Sequence, residues 1–373
     1  MKVLRALAIL IVGILFMFSG VVKAIDPLGS AYKFHDYFIA FGTGYLQFLA
    51  VPLSLLQSLV EFLAGFAVIT GIRRREGIWA TMILMAFFTP LTLILALTNP
   101  VSDCGCFGDA IHLTNWQTFG KNVVLVFFAI ILFAERKKDP LQAGPSAQWL
   151  VTGCAAVVFV AFEFYNLTFL PVIDFLPYSV GTHIPDKMRI PEGAPVTRYE
   201  TTFIYEKGGL KKEFTLKDYP ANDSTWKFIR QNSKIISKGY IPPVHDFAIT
   251  MDGNRDITDS VLNSLQPVVL MICKKLEDAG MKRIEKGTVI CKTLSERGIH
   301  SLLLSSSGSD EILRFRNMAD ICTADETTLK TMIRSNPGYM LLFRGTVLGK
   351  WSWADFSADK VIKLTGNLKL TNN

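Results

Sequence analysis

Five stretches of this chain are apolar over the length a lipid bilayer demands, and all of them lie within the first 170 residues. They run over about 4–24, 48–72, 77–98, 115–134 and 148–170; a helix needs roughly 20 apolar residues to cross the hydrocarbon core. Lipid offers no hydrogen bonds to a backbone, so each stretch must close its own as a helix. The fourth is the weakest, with a continuous apolar run only from Val123 to Ala134. It needs Trp116 and Phe119 as an interfacial start, with Lys121 snorkelling or facing the bundle interior. Residues 185–373 carry ordinary charge density. The chain therefore divides into a multi-span α-helical membrane half and a soluble half, each large enough for its own core.

Charge orients the membrane half. The chain carries a net charge of +7, and its basic clusters sit beside the apolar segments, at Lys2/Arg5, Arg73-Arg74-Arg75 and Arg136-Lys137-Lys138. Such clusters mark cytoplasmic loops and argue against nucleic acid as a partner. All three agree: the amino terminus is inside, the loops 25–47 and 99–114 are outside, and the last span delivers the soluble half outside. A cleaved signal peptide ending at Val22-Lys23-Ala24 is a rival reading of residues 1–24, and it leaves the other spans oriented as before.

The strongest chemical signal is Asp103-Cys104-Gly105-Cys106-Phe107-Gly108-Asp109 in the second outer loop. Cys-Gly-Cys can close an eleven-membered disulfide ring, strained relative to ordinary bridges and hence prone to exchange. No lysine or arginine stands within the motif to favour a thiolate, and His112 is the nearest candidate in sequence. Three readings stay open: an exchanging redox pair, a structural brace, and a metal site of Cys104, Cys106 and His112, which is a thin ligand set. Glu61 lies deep in the second span, where an ionisable group must find a partner. It serves either helix packing, with Gly65 one turn on, or proton transfer, and Lys23 at the end of the first span could reach it. The first outer loop carries Tyr32, Phe34, Tyr37, Phe38, Phe41 and Tyr45, which suit an interfacial helix or a platform for a flat apolar ligand such as a quinone. Cys154 in the fifth span reads as a small packing residue.

Phe18-Ser19-Gly20-Val21-Val22-Lys23, Glu61 with Gly65, and the Cys104-Gly105-Cys106-Phe107-Gly108 run together resemble the DoxX-like membrane proteins, and within them the methylamine-utilisation MauE branch, over about residues 1–138. The resemblance implies a four-helix membrane bundle in a bacterial inner membrane, with Glu61 as the buried family glutamate. It also implies that Cys104 and Cys106 are the thiols assisting disulfide formation in exported proteins. This chain adds a fifth span and a large outer domain, which separates it from the methylamine pathway itself.

After the fifth span, prolines 171, 177, 185 and 191 mark an extended connection. Thr197–Glu206 and Leu210–Leu216 flank Gly208-Gly209 as a hairpin. From Pro242 onward strands at Phe247–Met251, Pro267–Cys273, His300–Ser305, Gly338–Phe343 and Thr346–Trp351 alternate with helices at Thr258–Leu265, Lys282–Arg297, Glu311–Asn317 and Thr327–Ser335, predicting an α/β sheet domain. The order, with Asn336-Pro337 leading into a strand, resembles the thioredoxin-like fold, which implies a cis-proline at Pro337. The Cys-X-X-Cys of that fold is absent. Cys273-Lys274-Lys275-Leu276 leaves one cysteine at the reactive place, where Cys273 is either a thiol activated by its lysines or a small buried residue. Cys291 and Cys322 could pair with each other or with Cys273. The scattered histidines 183, 245 and 300 read as local structure, and no phosphate loop, dinucleotide fingerprint or nucleophile elbow is present.

The expected domains are therefore 1–138 (four spans), 139–170 (linker and fifth span), 171–241 (connection and hairpin) and 242–373 (thioredoxin-like, extracytoplasmic). The expected function is thiol–disulfide exchange through Cys104/Cys106. Exported clients or a thiol–disulfide carrier are the protein partners, membrane lipid is the surroundings, a quinone is the one cofactor suggested, and no metal is expected. A non-catalytic envelope scaffold and a small-molecule or ion carrier built on Glu61 are the alternatives.

Overall fold

The computed structural model describes residues 2–101, 103–136, 144–196, 198–215, 218, 220, 223–237, 239–315, 317 and 319–368. Lys137 and Lys138 of the third basic cluster, most of the 139–147 linker, and the ends of the expected hairpin at Thr197 and Leu216 lie outside them. Two compact units are present, Met1–Thr182 with Ala248–Asn373, and His183–Phe247.

The first unit begins with helices α1 (Lys2–Ile25), α2 (Pro27–Ala40), α3 (Ala50–Thr70), α4 (Arg74–Thr98), α5 (Asn115–Glu135) and α6 (Pro145–Thr168). All but α2 are long and apolar enough to cross a membrane, so this is a multi-pass membrane protein. The weak fourth span is a full helix because Thr114 and Gln117 close a capping box at its start, which satisfies amide groups the sequence leaves unpaired. Helices α1 and α3 cross at glycine. A Cβ on Gly65 would stand 2.5 Å from the Met17 amide nitrogen and 2.6 Å from the Gly13 carbonyl oxygen, so only small residues allow this approach. Helix α6 attaches through polar groups: Glu163 accepts from Ser58 Oγ on α3, and Asn166 Nδ2 donates to the Ala24 carbonyl at 3.0 Å.

The same unit carries a seven-stranded mixed sheet in the order β10-β9-β6-β7-β8-β4-β5. Its strands are β4 (Thr250–Met251), β5 (Arg255–Asp256), β6 (Val268–Cys273), β7 (His300–Ser305), β8 (Ile321–Thr323), β9 (Gly338–Phe343) and β10 (Thr346–Ser352). Strand β6 is buried along its whole length, as a central strand covered on both faces must be. It runs parallel to β7 and antiparallel to β9. The helices are α8 (Thr258–Leu262), α9 (Leu276–Ala279), α10 (Met281–Ser295), α11 (Ser309–Phe315), α12 (Glu326–Met332) and α13 (Ala358–Leu368). Ile284 and Leu294 of α10 and Val361 of α13 pack with Met271, Tyr339 and Trp351 of the sheet in one core. The β10 edge is covered by the segment after α6, where Thr182 and Gly181 exchange backbone hydrogen bonds of 2.9 and 2.8 Å with Val347. That places part of the expected extended connection on the sheet and closes an edge open to pairing.

The second unit holds α7 (Ile184–Met188) and an antiparallel sheet β2-β1-β3, with β1 (Arg198–Lys207), β2 (Leu210–Thr215) and β3 (Lys227–Ser237). Gly208 and Gly209 both adopt positive φ at the β1–β2 turn. The sequence reading lacked β3, β8 and α13. Strand β3 has no buried alternation to betray it: residues 227–233 are exposed on both faces, and the strand exists through its pairing with β1. Conversely, the strand expected over Phe247–Met251 shrinks to Thr250–Met251.

Candidate functional site

The crossing of α1 and α3 brings Lys23 to Glu61. Lys23 Nζ donates to Glu61 Oε2 at 2.6 Å, to the Cys106 carbonyl at 2.8 Å and to Ser19 Oγ at 2.7 Å. Gln57 Nε2 donates to the second carboxylate oxygen at 2.7 Å. The side chains of Lys23 and Glu61 are 4% and 7% exposed. Charges that deep persist only when paired and hydrogen-bonded, and Glu61 finds its partner in Lys23. Its cation also clasps the backbone of the cysteine loop.

That loop is tied from both sides. Asp103 Oδ1 accepts from the Gly105 amide at 2.9 Å, and its other oxygen accepts from Lys33 Nζ of α2 at 2.9 Å. Tyr37 donates its hydroxyl to the Cys104 carbonyl at 2.7 Å. Gly105 has φ +65°, and a Cβ there would strike Lys33 Cγ at 2.8 Å, so the residue between the cysteines must be glycine on two counts. The sulfurs of Cys104 and Cys106 lie 3.4 Å apart, within thiol hydrogen-bond distance, and both are free thiols. The hydrogen bond from Cys104 favours the Cys106 thiolate, and the ammonium groups of Lys121 and Lys23 add to it against the cost of burial, so its pKa is pulled down to about 6. Cys104 moves the opposite way, through its hydrogen bond with Cys106 and then its burial.

Both cysteines line a cavity of about 530 Å³ within the bundle. Apolar side chains of α1, α3, α4 and α5 form most of its wall, and Phe34, Tyr37, Phe38 and Phe41 bring the aromatic face of α2 to it. Of the other aromatics of the first outer loop, Tyr32 meets Lys274 and Tyr45 is 76% exposed. Lys121 also lines the cavity, with its Nζ 4.5 Å from the Phe107 ring centroid.

The α/β domain closes on the same end of the bundle. Arg334, 4% exposed, donates through Nε to Asp26 Oδ2 at 2.8 Å and through a terminal nitrogen to Asp109 of the cysteine loop. Lys274 Nζ donates to the Tyr32 hydroxyl of α2 at 2.7 Å. Burial, with the Arg334 charge beside it, pushes the Lys274 ammonium down to about 7.

The remaining sequence candidates fall as follows. Cys273 is fully buried at the end of β6, and burial pushes its thiol up to about 12, while Lys274 turns to Tyr32. The Asn336–Pro337 bond is cis, and Asn336 accepts from the Lys274 amide at 3.0 Å. Cys291 and Cys322 are buried free thiols rather than a bridged pair. His112 stands 3.9 Å from Asp103 with its side chain 65% exposed. Among the described residues no cluster of three metal-ligating side chains occurs, so His112 does not join the thiols. Cys154 is exposed on the bundle surface, not packed inside it.

Sequence reasoning missed Arg334, and it ties neither Lys121 nor Tyr37 to the cysteines. The place of Lys121 at the thiols depends on how α5 packs. Arg334 lies 225 residues from Asp109, and no local pattern connects them.

Residues 1–135 match the family model described as methylamine utilisation protein MauE. The match covers the first four of the five spanning helices. The match ends at the last residue of α5, so α6 and the α/β domain lie outside it. Residues 199–238 match a domain of unknown function, DUF8463, which spans the three-stranded sheet. No curated protein and no solved structure matches the chain.

Proposed function

We propose that this membrane protein is a thiol–disulfide oxidoreductase that serves exported proteins through Cys104 and Cys106. The observation that carries the reading is the thiol pair itself, with sulfurs 3.4 Å apart on a cavity wall and two lysines beside Cys106. In the oxidised form, a client thiolate attacks the Cys104 sulfur, the Cys104–Cys106 bond breaks, and Cys106 leaves as the better-stabilised thiolate. A second client thiolate then attacks the client sulfur of the mixed disulfide and releases Cys104. The client gains one disulfide, and the pair holds the two electrons.

Basic residues 2, 5 and 73–75 lie at the chain ends of α1, α3 and α4 opposite the cysteine loop, which supports an extracytoplasmic loop and α/β domain on a bacterial inner membrane. The strand order β7-β6-β9-β10, with α10 crossing between the parallel pair, supports a thioredoxin-like reading of that domain. Without a second cysteine after Cys273, its role is to seat clients over the loop.

Trapping tests the mechanism. A Cys106→Ser variant should accumulate mixed disulfides on Cys104 in cells, released by reductant, and a lane with no thiol-dependent partner sinks it. The scaffold reading draws on the ion pairs that brace the loop without its cysteines, Lys33–Asp103 and Arg334–Asp109. It predicts that Cys104→Ala retains full function in a complementation assay.

A further inference from the structure

Thiol–disulfide exchange leaves the cysteine pair reduced, and its two electrons must go on to an acceptor. The α/β domain offers no Cys-X-X-Cys: Leu276 stands where a second cysteine would follow Cys273, Cys273 and Cys291 share the buried core, and Cys322 is buried in β8. The other neighbour of the thiols is the cavity. It is walled by aliphatic and aromatic side chains, with Lys23, Lys121 and Glu61 at the cysteine end. Its volume of about 530 Å³ falls in the range of small-molecule sites. Two lining residues, Leu56 of α3 and Phe87 of α4, are 56% and 64% exposed, and both stand on helices long and apolar enough to cross a membrane. An opening between those helices would face lipid. A ligand entering there is apolar, and one that stops beside two thiols and two ammonium groups carries a flat electrophilic head with oxygen atoms.

We propose that the cavity binds an isoprenoid quinone and that its ring takes the electron pair of Cys104 and Cys106. This inference rests on the thiol–disulfide reading. The Cys106 thiolate adds to a ring carbon, the displaced electron pair moves to a carbonyl oxygen, and that oxygen takes a proton from the medium, equal to the one Cys106 had lost. The Cys104 sulfur gives its proton to the second oxygen and attacks the Cys106 sulfur; the sulfur–carbon bond breaks and its pair returns to the ring. One sulfur–sulfur bond forms, and the quinone leaves as hydroquinone with two electrons and two protons. Lys121 and Lys23 are positioning residues that offset negative charge on the ring oxygen.

The test uses the purified full chain, reduced, mixed without oxygen with decyl-substituted benzoquinone, following quinone absorbance and mapping Cys104 and Cys106 by mass. One equivalent of hydroquinone per chain and a Cys104–Cys106 disulfide are expected. Leu56→Trp, which narrows the mouth from a lipid-facing position, should raise the quinone KM at least tenfold, and Phe87→Trp supplies a second variant should the first fold poorly. A parallel measurement follows exchange between oxidised wild-type protein and a dithiol peptide with no quinone present. If peptide exchange proceeds while the quinone is not reduced, or is reduced with a KM indifferent to both variants, the quinone site is overturned and the thiol reading stands. If the peptide is not oxidised either, the thiol reading itself has failed.

Discussion

Replacing Arg334 with methionine should release the α/β domain from the cysteine loop. The guanidinium and its partners Asp26 and Asp109 have side chains 4%, 6% and 17% exposed. Truncating one partner of a buried ion pair costs about 3–5 kcal/mol, because the opposite charge stays behind without compensation. Asp26 keeps the Gly29 amide as a donor at 2.8 Å, and Asp109 retains some solvent, so the lower end, about 3 kcal/mol, applies. That corresponds to roughly a hundredfold rise in the undocked population at about 1.4 kcal/mol per decade. Lys274 reports it. Its ammonium is buried against Tyr32 and meets an amine-reactive reagent only after undocking, so its modification rate rises with the undocked population. Lys286, exposed on α10, is the control. Arg334→Lys should give an intermediate rate, since it keeps the charge and loses the fork. A Lys274 rate in Arg334→Met within threefold of wild type would refute the clamp.

Two further outcomes follow from the site. Alkylation of Cys106 should rise with pH through about 6 and level off above it, because a depressed pKa leaves the thiolate populated at all higher pH. A titration of iodoacetamide rate with a midpoint near the ordinary thiol value of about 8.5 would contradict that, and Lys121→Met should move the midpoint upward. Gly65→Val should push α1 from α3, given the 2.5 Å approach to Met17, at a cost of about 1–3 kcal/mol or more for overpacking. Its thermal midpoint in detergent, read by tryptophan fluorescence, should fall by several degrees, and an unchanged midpoint would mean that the crossing is not held by glycine.

Much of the architecture was legible in one dimension, for reasons that differ by element. Spans announce themselves because lipid forces every backbone group into a helix and every facing side chain to be apolar, and even the weak fourth carried its own cap at Thr114. Strand β6 showed as a continuous apolar run because both its faces are buried. Strand β3, exposed on both faces over residues 227–233, gave no such sign. The site divides the same way. Cys104, Gly105 and Cys106 are adjacent, and Glu61 was conspicuous as a charge where none is tolerated alone, so composition and spacing found them. The sign of the electrostatics did not come through: the motif holds no cation, yet Lys121 and Lys23 flank Cys106 in space.

Local chemistry, then, is written in the chain: which segments enter the membrane, which residues carry sulfur, and where a glycine must sit between two thiols. Tertiary structure decided what those residues face. The Gly13/Gly65 crossing put Lys23 on Glu61, the packing of α5 carried Lys121 to the cavity, and the return of the chain after more than two hundred residues brought Arg334 onto Asp109. Charge pairs and cavity walls are sums over elements distant in sequence, and Coulomb attraction and exclusion of water act only on the distances that packing creates.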